Sequence, residues 1–199
     1  MKGAITTAAL AIATAALIVA LLGDTREISF LKPFGDGIVW VNYSPAPKSP
    51  GEMVREAAAV IVAKYTGKQR LLETRREFAV DHVYSIKYEF EILETLKSDP
   101  LLPSGDRARL DIDLSEEERR TATHVMRTRL ADAAPLRPDR TYVVFLARNS
   151  VRPELYLAWV ADGLYDVTAA SVEPVNRRNR RHENLSAKAF LDILRQASR

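Results

Sequence analysis

The chain has 199 residues, of which 47% are hydrophobic and 28% are charged, and its formal net charge is +3 at pH 7. These values are typical of a globular protein and exclude a polycation, so charge alone gives no reason to expect a nucleic-acid partner. The chain contains no cysteine, which excludes a disulfide-stabilised secreted module and a lipoprotein anchored through a modified cysteine.

The first predicted element is an uncharged segment from Gly3 to Gly23, which lies between Lys2 and Asp24. As a helix it would be about 31 Å long at about 1.5 Å per residue, which matches the roughly 30 Å hydrocarbon core of a bilayer. We therefore expect residues 1–23 to form one transmembrane anchor, with Lys2 favouring an N terminus inside the cytoplasm. The protein would lie in the bacterial inner membrane with its domain outside the cytoplasm. The alternative is a cleavable signal peptide, after which the protein would be periplasmic or secreted.

Residues 24–50 are expected to form a tether that could include a short strand at residues 38–43, where β-branched and aromatic residues dominate. A helix should follow this tether. Ser49 suits the N-cap position, and Glu52 lies three residues later in the capping-box pattern. The helix should end near Ala57.

Three strands are predicted next, at residues 58–65, 84–92 and 108–114, with a polar loop beginning at Gly67. The clearest pattern lies in the second strand, where apolar and polar residues alternate with a period of two. Its inward face is predicted to carry Tyr84, Ile86, Tyr88, Phe90 and Ile92. Its outward face is predicted to carry Lys87, Glu89 and Glu91.

A helix is predicted after the third strand, because Ser115 and Glu118 have the spacing of a capping box and an apolar stripe follows them. Further strands are predicted at residues 141–147, 155–161 and 164–168. Asp162-Gly163 should form the turn of a hairpin between the last two strands. A final helix should begin after the N-cap Ser186.

This order of elements predicts a mainly β protein with flanking helices. A helix between the third and fourth strands of a five- to six-stranded barrel is the arrangement of an OB fold. The OB-like barrel would occupy residues 51–175, and residues 176–199 would form a basic segment and the C-terminal helix.

Residues 52–170 resemble small exported bacterial proteins with an OB-like barrel of the netrin-module type, which is also the barrel of the tissue inhibitors of metalloproteinases. The resemblance rests on an Ala-rich first strand after a short helix (residues 56–65), a long strand that runs into residues 94–97, and the strand at residues 141–146. It implies the barrel fold. Those inhibitors chelate zinc through an N-terminal cysteine, and this chain has none, so that activity does not carry over.

Basic residues in two predicted loops are candidates for a ligand-binding rim, because in an OB barrel these loops lie at one end and bind oligomeric ligands. The candidates are Lys68, Arg70, Arg75, Arg76, Arg148 and Arg152. An envelope protein or a polyanion is the expected partner. The alternative is a set of ordinary charged surface loops, since Glu73, Glu77 and Glu154 lie among them.

A second basic group, formed by Arg177, Arg178, Arg180 and Arg181, precedes the last helix. These arginines could contact a partner or anionic lipid headgroups, where each is worth up to about 1 kcal/mol. The alternative is a solvated loop. The membrane contact of the whole chain is expected through residues 3–23.

The sequence assigns no catalytic residue, metal site or cofactor. His82, His124 and His182 are too widely spaced for a ligand motif, and Asp111 and Asp113 fit a solvated strand face better than a carboxylate pair. The long second strand lacks outward aromatic residues on which bases could stack, so no nucleic-acid partner is expected. The preferred function is a membrane-anchored, extracytoplasmic binding module of the bacterial cell envelope. The alternative is a hydrolase-like envelope enzyme whose acidic, serine and histidine side chains leave no motif.

Overall fold

The chain is described by a computed structural model. The described residues are 37–39, 46–78, 81–105, 107–121, 123–130, 133–149, 153–177, 179 and 182–199. The anchor predicted at residues 3–23 lies outside these ranges and stays a prediction. Within them, no helix is both long enough and apolar enough to cross a membrane. The short strand predicted at residues 38–43 is present at residues 38–39, and the rest of it lies outside the described residues.

The described residues form one sheet, two α-helices and one 3₁₀ helix. The strands are β1 (Gly37–Val39), β2 (Ala59–Phe78), β3 (Asp81–Lys97), β4 (Arg109–Arg120), β5 (Val125–Leu130), β6 (Thr141–Arg148), β7 (Leu155–Leu157), β8 (Leu164–Asp166) and β9 (Glu173–Pro174). The helices are α1 (Pro50–Glu56), α2 (Ala187–Ala197) and the 3₁₀ helix (Val160–Gly163).

Both α-helices begin where the sequence predicts. At α1, the Glu52 N–H donates to the Ser49 hydroxyl at 3.2 Å and the Ser49 N–H donates to the Glu52 carboxylate at 3.1 Å, which is the predicted capping box. At α2, the Ser186 hydroxyl accepts a hydrogen bond from the Ala189 N–H at 3.1 Å. Local side-chain chemistry therefore determines both starts.

The strand order is β1-β5-β4-β3-β2-β6-β8-β9, and β7 pairs with the end of β6 beyond β8. All pairs are antiparallel except β1 with β5. The sheet curls into a half-barrel, so that β4 comes close to β7 across its open side. The predicted mainly β class is confirmed.

The first half of β2 is the centre of the fold. Residues 59–63 are all buried, because β3 and β6 flank the strand and both of its faces are covered. Val60 and Val62 pack in the core under the two helices, together with Phe190 of α2. Ile61 packs in the second core, inside the half-barrel. A strand covered on both faces needs a continuous apolar sequence, which this segment has.

The predicted alternation in β3 holds over its middle. Ile86, Tyr88 and Phe90 are buried inside the half-barrel, and the charged residues between them lie on the outer face, partly exposed. The pairing with β4 shifts by a bulge between Ser85 and Lys87. Before this bulge, buried positions no longer follow the predicted face, and Tyr84 is only half-buried.

The helix predicted after Ser115 is wrong. The chain instead continues β4 to Arg120 and returns as β5, and the two strands pair as a hairpin. Within β4, Glu116 and Glu118 alternate with exposed residues and are buried. The Glu118 carboxylate accepts hydrogen bonds from Arg120 at 2.6 Å and from Arg127 at 2.7 Å. The cross-strand partner Arg127 favours a strand where the local pattern favours a helix.

Two predicted connections are also wrong. Asp162-Gly163 ends the 3₁₀ helix, and β7 and β8 both pair with β6 and not with each other. Gly67 has a φ of +83° and lies at an irregularity within β2, which continues for another eleven residues. The basic residues that follow Gly67 are therefore on a strand and not in a loop.

Candidate ligand-binding groove

The half-barrel has an open side between β4 and β7, which we call the seam. Among the described residues, β4 from Arg109 to Asp113 pairs with β3 alone, and β7 pairs with β6 alone. Each of these strands therefore has one edge without a strand neighbour. The edge of β7 is nevertheless largely covered, because Leu157 is 2% exposed and β4 lies close to β7.

A groove of about 570 Å³ lies over the seam, and we call it the seam groove. Its walls include Lys87 and Asp113 from β3 and β4, residues 154–160 around β7, and Glu56 at the end of α1. This volume is in the range of ordinary ligand sites, about 300–1,000 Å³. A smaller cavity of about 170 Å³ lies near Tyr142 and Asp166.

Asp113 is the polar centre of the seam groove. One carboxylate oxygen accepts hydrogen bonds from the Ser85 hydroxyl at 2.5 Å and from the Lys87 ammonium at 2.9 Å. The other accepts from the Ser115 N–H at 2.7 Å. The side chains of Lys87 and Asp113 are 24% and 29% exposed, so the pair is partly shielded from water. These bonds balance the lysine charge and fix both side chains.

Two aromatic residues give the groove its apolar surface. Tyr156 is 46% exposed, and Trp159 is half-buried with its ring centroid 6.0 Å from that of Phe145. Trp159 is therefore anchored to the core on one side and lines the groove on another. Tyrosine and tryptophan suit such places because they combine a large apolar face with a polar group.

Backbone strain is concentrated at this groove. Of six non-glycine residues with positive φ in the described chain, three line it: Ser115 at 59°, and Trp159 and Val160 at 49° each. This conformation is rare for a β-branched residue such as Val160. Strain of about 1–3 kcal/mol per residue is found most often at active sites and ligand clamps.

The described residues that line the groove have an excess of negative charge. Lys87 and Asp113 balance each other, which leaves the carboxylates of Glu56 and Glu154. Both residues are exposed, and Glu154 also accepts a hydrogen bond from the Asn149 amide at 3.0 Å. No cation in the described part of the chain forms an ion pair with either. The groove therefore attracts positive charge.

The candidates for a basic rim lie elsewhere. Lys68 and Arg70 lie on β2 and contact acids on the outer face of the sheet, with Lys68 3.7 Å from Glu89 and Arg70 3.0 Å from Asp111. Arg75 and Arg76 lie further along β2, and their side chains are not described. Arg152 is outside the described residues.

Arg148 ends β6, where its guanidinium donates to Asp99 at 2.7 Å. This hydrogen bond is the main cause that lowers the pKa of Asp99 below its usual value. Leu146 of β6 pairs with Ala59 at the start of β2, whereas Arg70 lies roughly 35 Å further along β2 at about 3.3 Å per residue. The structure therefore does not bring Arg148 and Arg70 to one end of the sheet.

The second basic group is described only in part. Arg177 is exposed and lines the smaller cavity, whereas Arg178, Arg180 and Arg181 lie outside the described residues. Their predicted contact with lipid or a partner stays a prediction.

The histidines do not gather at one site. His82 lies 3.1 Å from Glu73, and the described residues contain no group of three or more His, Cys, Asp or Glu side chains that could hold a metal ion. None of the three histidines lines the described part of the seam groove. Among the described residues, Ser115, which lines the groove, therefore has no imidazole base beside it.

A buried acidic cluster lies at the β4–β5 end of the half-barrel. The Tyr88 hydroxyl donates to Glu116, and burial together with this bond raises the tyrosine pKa far above its usual value. Burial alone would raise the pKa of Glu118, but the hydrogen bonds from Arg120 and Arg127 outweigh it and lower that pKa. The cluster is fully hydrogen-bonded and has the character of a structural network.

These features define a class: a mainly β protein with a curled half-barrel sheet and a polar, aromatic groove over its open side. No protein-family model, curated protein or solved structure matches the chain.

The sequence does not predict the seam groove. Its patterns place Lys87 and Asp113 on solvated strand faces and Trp159 within a strand. The one available signal is the pair of large aromatic residues Tyr156 and Trp159, which come six and three residues before Asp162. Lys87 and Asp113, which line the same groove from β3 and β4, lie more than forty positions earlier in the chain.

Proposed function

We propose that the protein is a binding module of the bacterial cell envelope, held at the membrane by residues 3–23 and displayed outside the cytoplasm. The seam groove carries the proposal. It combines a fixed Lys87–Asp113 pair with two aromatic residues, two carboxylates and a strained backbone. These features suit the binding of a ligand that offers both polar and apolar surface.

The proposed barrel is OB-like, with its last strand pair left open. The order β4-β3-β2-β6-β7 corresponds to predicted strands 3-2-1-4-5, which is the order in an OB barrel that is opened between strands three and five. The described hairpin of β4 and β5 occupies the part of the chain in which the helix after Ser115 was expected. OB folds are often partly open and bind ligands at their surface, which supports a binding role by analogy of fold.

The proposed membrane attachment is supported by the 21 uncharged residues after Lys2, which match the thickness of a bilayer. The arginines at 177, 178, 180 and 181 would add attraction to anionic lipid if they face the membrane.

The attachment is tested by expressing the full chain in a bacterial host. The intact chain should stay with the membrane after a carbonate wash. Protease should cut the domain only after the outer barrier of the cell has been opened. A shortened product that begins near Asp24 and is released from the membrane would contradict the anchor and support the signal peptide.

A further inference from the structure

We infer that the seam groove binds a linear aliphatic polyamine, whose simplest form is a diamine, with one ammonium group at each end of the groove. This inference rests on the proposed binding role and names the chemistry of the ligand. The sheet need not open, because the ligand would lie on the outer face of β7 and not between β7 and β4. Three features carry it: the exposed face of β7, the separation of two carboxylates and the position of Trp159.

The outer face of β7 lines the groove and is exposed. Side chains alternate between the two faces of a strand. Leu155 and Leu157 point inward and pack in the core of the half-barrel, so Tyr156 and the preceding Glu154 point outward, into the groove. Tyr156 is 46% exposed, whereas Leu157 is 2% exposed. A ligand can therefore lie along this face, although the edge of the strand is covered.

The two carboxylates of the groove lie near opposite ends of β7. Leu146 of β6 pairs with Leu157 and, on its other side, accepts a hydrogen bond from the Ala58 N–H at 2.7 Å. Glu56, two residues before Ala58, therefore lies near the Leu157 end. Glu154 comes three residues before Leu157, which places it about 10 Å away at about 3.3 Å per residue. The groove thus presents two negative charges that are separated along its length.

This separation selects a ligand with two positive charges over one with a single charge. Lys87 is balanced by Asp113, and the Lys97 ammonium beside the end of α1 donates to three backbone carbonyls. A primary ammonium group suits an exposed carboxylate because it carries three N–H donors. In an extended diamine with seven carbons the two nitrogens are about 10 Å apart, at roughly 1.2 Å per bond. Such a ligand can reach Glu56 and Glu154 together.

Trp159 adds a contact for the ammonium group at the Glu56 end, because it follows Leu157 by two residues and lines the groove. Tryptophan is the best aromatic partner for a cation that lies over its face. Its ring centroid is 6.0 Å from that of Phe145, a contact that limits its rotation, so little side-chain freedom is lost on binding. The methylene chain between the ammonium groups would pack on the apolar face of Tyr156.

The test uses the full chain in micelles of a neutral detergent. The chain has two tryptophans, so Trp40→Phe leaves Trp159 as the one source of tryptophan emission. Titration with diamines from 1,3-diaminopropane to 1,10-diaminodecane should give the highest affinity near 1,7-diaminoheptane. The matched compound 7-aminoheptan-1-ol, in which a hydroxyl replaces one ammonium group, should bind about fivefold more weakly, since it loses one exposed ion pair.

Two substitutions distinguish the ends of the groove. Glu154→Gln should weaken binding of 1,7-diaminoheptane about fivefold and leave 7-aminoheptan-1-ol nearly unchanged, because the single ammonium group binds at the Trp159 end. Glu56→Gln should weaken binding of both compounds. Glu183→Gln, at an exposed acid outside the groove, should change neither.

Three results would overturn the inference: equal affinity for 1,7-diaminoheptane and 7-aminoheptan-1-ol, affinity that does not depend on chain length, or an equal loss for both compounds in Glu154→Gln. A neutral oligosaccharide, chitohexaose, separates this failure from that of the binding role. If chitohexaose changes the Trp159 emission and no amine does, the groove keeps a binding role and the polyamine inference is wrong. If neither changes it, the groove also loses its place in the proposed function.

Discussion

Gly163 lies at a point in the chain where a side chain has no room. A Cβ added there would be 2.0 Å from the Ala158 carbonyl oxygen, which is backbone and cannot rotate away. This contact closes the turn from Ala158 to Gly163 that positions Trp159 beside the groove. Glycine is therefore needed at position 163, because the backbone of Ala158 approaches it too closely for a side chain to fit.

We expect Gly163→Ala to lower the free energy of unfolding by about 1–3 kcal/mol, as overpacking does elsewhere. Urea denaturation of the full chain, followed by tryptophan emission, would measure it. The matched control is Gly51→Ala in α1, where the nearest atom to an added Cβ is 3.7 Å away and alanine favours the helix. Equal stability of the two variants would show that the Ala158–Gly163 turn is looser than described.

At the same scale, the sequence predicts which way a side chain points better than what it contacts. The alternation of β3 correctly places Lys87 outside and Phe90 inside. The pairing of Lys87 with Asp113 depends on the register between β3 and β4, which shifts at a bulge. A bulge has no clear signature in a single sequence, so neither this pair nor the groove around it could be derived.

At the scale of elements, one lysine on β3 adds hydrogen bonds to the packing that holds α1 on the sheet. The Lys97 ammonium at the end of β3 donates to the carbonyls of Val54, Arg55 and Ala57, at 2.9, 3.0 and 2.6 Å. These are carbonyls that the end of a helix leaves without intrahelical partners. The lysine therefore caps the helix and connects it to a distant strand.

Replacing Lys97 with methionine keeps the apolar stem and removes these hydrogen bonds. We expect a loss of about 1–3 kcal/mol, because the bonds involve a charged donor. Thermal or urea unfolding would measure it. Lys188→Met on α2, at an exposed lysine, should change stability by less than about 0.5 kcal/mol. A loss in Lys97→Met no larger than in this control would contradict the capping role.

Elements with local signals were predicted well, and those that depend on distant partners were not. The starts of α1 and α2 follow from Ser49 and Ser186, whose capping bonds span three residues. The β4–β5 hairpin depends on Arg127 reaching Glu118 across strands, while the local sequence has the acids and apolar spacing of a helix. Tertiary contacts such as this one outweigh the local helix propensity, because that propensity contributes only a few tenths of a kcal/mol per residue to the free energy of folding.

At the scale of the whole molecule, charge is arranged differently on the two surfaces that could bind a partner. The outer face of β2, β3 and β4 carries cross-strand ion pairs, such as Arg70 with Asp111 and Arg109 with Glu89. Among the described side chains, these pairs leave little net charge on that face. The seam groove keeps two carboxylates without such a pairing, although the whole chain has a net charge of +3. The groove is therefore the surface with the clearer preference for one kind of ligand.

The central claim is that a partner in the envelope binds at the seam groove. It is tested most directly by placing a photo-crosslinking amino acid at Tyr156, which is 46% exposed on the groove wall, and comparing it with Leu72, which is 52% exposed on the distant half of β2. In envelope membranes that contain the full chain, irradiation should give a product in which Tyr156 is crosslinked to a partner, which mass spectrometry would identify. Leu72 should give none. A product from Leu72 alone, or none from either position, would contradict the account.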